Sequence, residues 1–165
     1  MQGAFALPIT YDFHQSGYRH GGAVNGFFIG EDLDGDGQLS SFAGEVFDFG
    51  LSFSRHGHPT SLALDFADLL GLVYDLDGGD LGDGTTGHVE GILASGWLRL
   101  FAVGPGPLGQ ICGAGDTCAM VAAPGHWGFS AEPVKVVAQV PEPATIVLLI
   151  VGFLGLLWAR RRIQP

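Results

Sequence analysis

The chain has 165 residues, of which 47% are hydrophobic and 15% charged, a balance that suits one domain with an appendage and excludes low-hydrophobicity disorder for the body. Net charge is −10, and residues 7–140 carry sixteen acids against four bases, which sets the body against nucleic acid and anionic lipid and in favour of hard cations. Twenty-eight glycines and nine prolines favour many turns over long helices.

At the front, Ala4–Phe5–Ala6 matches the small-x-small pattern of a signal-peptidase site. Residues 1–6 then read as the remnant of a signal peptide. A basic stretch and an apolar run are expected upstream of Met1.

The body, residues 7–139, is rich in period-two alternation, the signature of half-buried strands. Ile9, Tyr11 and Phe13 share one face. Val24–Ile29 follows. Phe47, Phe49, Leu51 and Phe53 form the clearest apolar face, with Asp48, Gly50, Ser52 and Ser54 opposite. Leu62, Leu64 and Phe66 continue the pattern. The segment from Ser61 to Tyr74 also fits one face of a helix, although Gly71 weakens it. Leu69–Tyr74, Trp97–Val103, His126–Ser130 and Val134–Val140 complete the predicted strands. Glycine and proline clusters, such as Pro124–Gly125, separate them. The expected fold is all-β, a sandwich or jelly-roll-like domain, followed by a single C-terminal transmembrane helix.

Asp32-Leu33-Asp34-Gly35-Asp36-Gly37-Gln38 is the best candidate metal site. It matches the first seven positions of a calcium loop: acids at 1, 3 and 5, glycine at 6 and a backbone carbonyl, here that of Gln38, at 7. The twelfth position is Ala43, not glutamate, and Glu45 comes two residues late. The flanks read as strands, so this is not a helix–loop–helix site. Two readings stay open: Ca²⁺ between strands, closed by Glu45, or a solvated Asp/Gly turn. A second acidic loop, Asp75 to Gly84, matches no ligand template. His56 and His58 would share a face on a strand, but zinc needs further ligands that the sequence does not mark. His14, His20, His88 and His126 read as surface or strand-end residues.

No motif for catalysis is present: no G-x-S-x-G elbow, no H-E-x-x-H, no phosphate loop. Gly104-Pro105-Gly106 reads as a turn whose proline lacks the N–H a phosphate would need. Acid pairs such as Asp65 and Asp68 could serve a small secreted hydrolase as a glycosidase couple, but sequence spacing does not give the carboxyl separation that mechanism requires. Trp97 and Trp127 could stack on carbohydrate or fill the core. Cys112 and Cys118 would pair as a disulfide in an oxidising compartment and stay reduced in the cytosol.

The tail, residues 140–165, opens on Pro141-Glu142-Pro143. Ala144 to Ala159 is an uncharged apolar run, about 24 Å long as a helix. That is short for a membrane span but sufficient with snorkelling flanks. Arg160, Arg161 and Arg162 follow, and by the positive-inside rule they stay cytoplasmic with the body outside.

The order of these three parts resembles the PEP-CTERM sorting signal. The resemblance covers about residues 140–162 and implies several expectations. An exosortase, a membrane-embedded cysteine protease-transpeptidase, would process the chain near Pro141–Pro143. The protein would be exported in a Gram-negative bacterium and held in the inner membrane by its tail. After processing it would reach the cell surface or an exopolysaccharide (biofilm) matrix. Ile9–Phe13, Asp34–Gly37 with Glu45, and Phe49–Leu51–Phe53 also resemble, more loosely, the short domains ahead of such tails. The sequence alone supports a non-enzymatic sorted envelope protein. An anchored carbohydrate- or calcium-binding surface module stands beside it, and a hydrolase third.

Overall fold

The computed structural model of the chain describes residues 7–55, 58–76, 79–81, 90–104 and 119–139. They form two antiparallel sheets. The first has the order β11-β1-β2-β4-β5, with β1 Ile9–Tyr18, β2 Gly22–Gly30, β4 Val46–Arg55, β5 His58–Asp65 and β11 Lys135–Gln139. The second has the order β10-β9-β8-β7-β6-β3, with β3 Gln38–Ser40, β6 Leu69–Asp75, β7 Gly91–Gly96, β8 Arg99–Val103, β9 Ala119–Ala123 and β10 His126–Ser130. The all-β expectation holds.

Alternation explains the packing. Tyr11 and Phe13 of β1, Phe28 of β2, and Phe49, Leu51 and Phe53 of β4 all point inward and are buried. From the second sheet, Leu72, Tyr74, Ile92, Phe101 and Val121 meet them. Aromatic contacts join the two layers. Tyr74 of the second sheet meets Phe28 edge to face at 5.6 Å and Tyr11 at 5.7 Å, a favoured ring geometry, while Tyr11 stacks on Phe28 within the first sheet at 5.0 Å.

Two features of the predicted faces are corrected. Phe47 is 44% exposed, while its neighbour Val46 is buried. Opposite β2, Ile29 pairs with Asp48 but Gly30 pairs with Val46. That bulge adds a residue to β4 and reverses the facing of everything before it. Phe66 is also 44% exposed, because the chain leaves β5 at Asp65 and makes a 3-10 turn over Phe66–Asp68.

The helical alternative for Ser61 to Tyr74 is excluded: the segment is strand, short turn, strand. The strand expected from Trp97 begins at Arg99 instead. Trp97 and Leu98 are the turn between β7 and β8, and Trp97 is 88% exposed. Sequence patterning did not mark β3, β7 or β9.

Among the described residues no helix is long and apolar enough to cross a membrane. The predicted tail helix 144–159, Pro141–Pro143, Arg160–Arg162, Cys112, Cys118, residues 1–6, His56 and His88 lie outside the described residues.

Candidate functional site

The acidic loop joins the two sheets. β2 ends at Gly30 in the first sheet, and β3 begins at Gln38 in the second. In the crossing, the three aspartates turn their carboxylates onto the loop's own amides. Asp32 accepts from Gly35 N through Oδ1 at 2.7 Å and from Gly37 N through Oδ2 at 3.0 Å. Asp34 Oδ1 accepts from Asp36 N at 3.1 Å, and Asp36 Oδ1 accepts from Gln38 N at 2.8 Å. Gly35 and Gly37 have φ of 78° and 84°, the left-handed region that glycine enters at least cost. These turns gather one carboxylate oxygen each from Asp32, Asp34 and Asp36 within 4.8 Å of one another.

Glu45 is 2% exposed. Its Oε1 accepts from Leu33 N at 3.0 Å and its Oε2 from Ser40 N at 2.9 Å. Its backbone carbonyl accepts from Glu31 N at 3.0 Å, and its N–H donates to Ser40 O at 3.1 Å. One residue therefore ties both ends of the loop to the start of β4. Glu45 is outside the group of three mutually close carboxylates. Gln38 opens β3 opposite Asp75, and Leu76 N donates to the carbonyl of Gly37 at 2.9 Å.

The loop's charge reaches the core. Burial pushes the phenol of Tyr11 above its ordinary range, and the carboxylate of Asp32 adds to the shift. Tyr74 is raised in the same direction, first by burial and then by Glu90.

Asp65 and Asp68 are engaged locally. Asp65 Oδ1 accepts from Ala67 N at 2.9 Å and Asp68 Oδ2 from Asp65 N at 3.2 Å, a reciprocal cap on the 3-10 turn. Of the second acidic loop, Asp75 is buried in β6, and Asp77 lies outside the described residues.

A second feature had no single sequence signal. A cleft of about 490 Å³ opens where β1 ends, where β4 ends and along β10. Arg19, His20, Arg55 and His126 line it, and they come from three distant segments. Isolated basic residues beside turns read as surface until a fold brings them together.

Residues 139–162 match the family model of the PEP-CTERM protein-sorting motif. No curated protein and no solved structure matches the chain. The chain therefore carries a PEP-CTERM protein-sorting motif directly behind β11, the last described strand of an all-β body.

Proposed function

We propose that this is a non-catalytic envelope protein, exported and then processed by an exosortase at its tail. The carrying observation is the sorting motif at 139–162, placed immediately after a folded β body. Pro141 and Pro143 resist helix and favour extended backbone. An exosortase would act on this segment, between the body and the apolar run. Arg160, Arg161 and Arg162 hold the far side of that run in the cytoplasm. The released body then resides on the cell surface or in the exopolysaccharide matrix of a Gram-negative host. Comparing membrane and medium fractions from hosts with and without the exosortase tests this. The account expects the protein to accumulate in the membrane, tail intact, when the exosortase is deleted. An unchanged distribution contradicts it.

A second reading concerns the acidic loop. We propose that Asp32, Asp34 and Asp36, with the Gln38 carbonyl, bind Ca²⁺ in the external medium, and that Glu45 supports the loop from behind through Leu33 N and Ser40 N. The grouping of three carboxylate oxygens within 4.8 Å supports it, since hard cations collect charged oxygen ligands. Glu45 already holds the loop ends, so the cation would add to a loop that the protein shapes on its own.

A further inference from the structure

The cleft at the ends of β1 and β4 reverses the charge of the domain around it. The body holds only four lysines and arginines against sixteen acids. Two of the four, Arg19 and Arg55, line this one cleft, His20 and His126 join them, and no Asp or Glu does. Among the described residues neither arginine has a carboxylate partner. Such a concentration of unpaired positive charge in an acidic protein focuses attraction on anions.

Tyr18, Phe53, Trp127 and Phe129 also line the cleft. Tyr18 is buried at its floor and meets Phe53 edge to face at 5.3 Å. On β10, Trp127 is 77% and Phe129 50% exposed, with rings 5.6 Å apart edge to face. His20 carries φ of 63° in the turn Arg19–Gly21, a region few non-glycine residues enter. That turn brings Arg19 and His20 into the lining of the cleft. At the inner end, Ser130 Oγ donates to the carbonyl of Ser16 at 2.5 Å, which ties β10 to β1.

We propose that this cleft binds a carboxylated saccharide, a uronic-acid oligomer. Guanidinium groups take carboxylates in bidentate fashion. Exposed rigid aromatic rings offer apolar faces with little entropy to lose, suited to the C–H face of a pyranose. The volume lies within the range of about 300–1,000 Å³ usual for small-molecule sites. This names a ligand for the surface role proposed above, and it stands on the cleft geometry whether or not the sorting reading holds.

Calorimetric titration of the full chain in neutral detergent tests it. The probes are tetragalacturonate, the uncharged tetragalactose and hexaglutamate. Tetragalacturonate should bind about tenfold or more tightly than tetragalactose. Arg19→Gln and Arg55→Gln should each weaken it about fivefold or more without lowering the melting temperature. Trp127→Ala should weaken both sugars. Arg99→Gln, in β8 with its guanidinium on the Ala63 carbonyl, should change nothing. Four results would overturn the proposal: no binding of tetragalacturonate, equal binding of the neutral sugar, indifference to both arginine changes, or equally tight hexaglutamate. Deleting the exosortase alters processing and leaves these affinities unchanged, so the two readings fail separately.

Discussion

Gln139 stands opposite Thr10 in the antiparallel register of β11 and β1. The chain therefore leaves the body at the end of the sheet where Ile9 pairs with Gly30 and the acidic loop begins. Tyr18 and the cationic cleft lie at the other end of β1, about 30 Å away along ten strand residues. A body tethered by its tail would hold the carboxylate loop near the tether and present the cleft outward.

Glu45 is the residue on which the loop's shape depends most. Glu45→Gln replaces one carboxylate oxygen by an NH₂ that must face the N–H of Leu33 or Ser40. The change should cost about 2 kcal/mol, the scale of a lost buried hydrogen bond to a charged group. Urea unfolding checks it through a lower midpoint at unchanged slope. Wild-type stability in Glu45→Gln would mean that the carboxylate does not organise the loop.

Calcium should raise the melting temperature if the three aspartates bind it. Binding to the native state adds about 2.7 kcal/mol at a hundredfold excess over Kd. Extracellular calcium modules work at about 10⁻⁴–10⁻³ M, so millimolar calcium against chelator is the comparison. Asp34→Ala should remove most of the difference and Asp77→Ala should keep it. Magnesium should do less, because it gives up its waters reluctantly. Identical melting in calcium and chelator would reduce Asp32–Gln38 to a solvated turn.

Alkaline pH should destabilise the body. Burial raises the phenol of Tyr18 well above its ordinary value of 10.0, and Tyr11 and Tyr74 shift the same way. The unfolded chain loses these protons near pH 10 while the native state keeps them. Above that pH the unfolded state binds fewer protons, so stability falls as pH rises. Below it the contribution is fully present. Tyr18 donates to Gln15 Oε1 at 2.5 Å, and Gln15 is buried. Tyr18→Phe should therefore cost about 1–3 kcal/mol near neutrality and flatten the alkaline decline. Thermal melts between pH 8 and pH 11 read both effects; a melting temperature that holds steady above pH 10 would sink the argument.

Much of the fold was legible because alternation reports burial directly. Tyr11, Phe13, Phe49, Leu51, Leu62 and Leu64 all face the core as their spacing requires. The failures have physical causes. Phe47 was misplaced by a bulge, which sequence spacing does not reveal. Gly91–Gly96 and Ala119–Ala123 are short and built mainly of small residues, so their alternation carries little amplitude. Asp32, Asp34 and Asp36 were readable because their spacing is local. Glu45 was legible as a nearby acid but not as the buried tie between Leu33 and Ser40. The cleft was illegible because Arg19, Arg55 and His126 meet only when β1, β4 and β10 converge.

Sorting through the tail is the central claim, and the mass of the mature protein tests it most directly. The chain should be expressed in an exosortase-positive host and recovered from envelope and medium for intact-mass measurement. The account predicts a C-terminus near Pro141–Pro143, with Ala144 to Pro165 lost. A mass that retains Arg160, Arg161 and Arg162 in every fraction would contradict it and leave the tail a simple anchor.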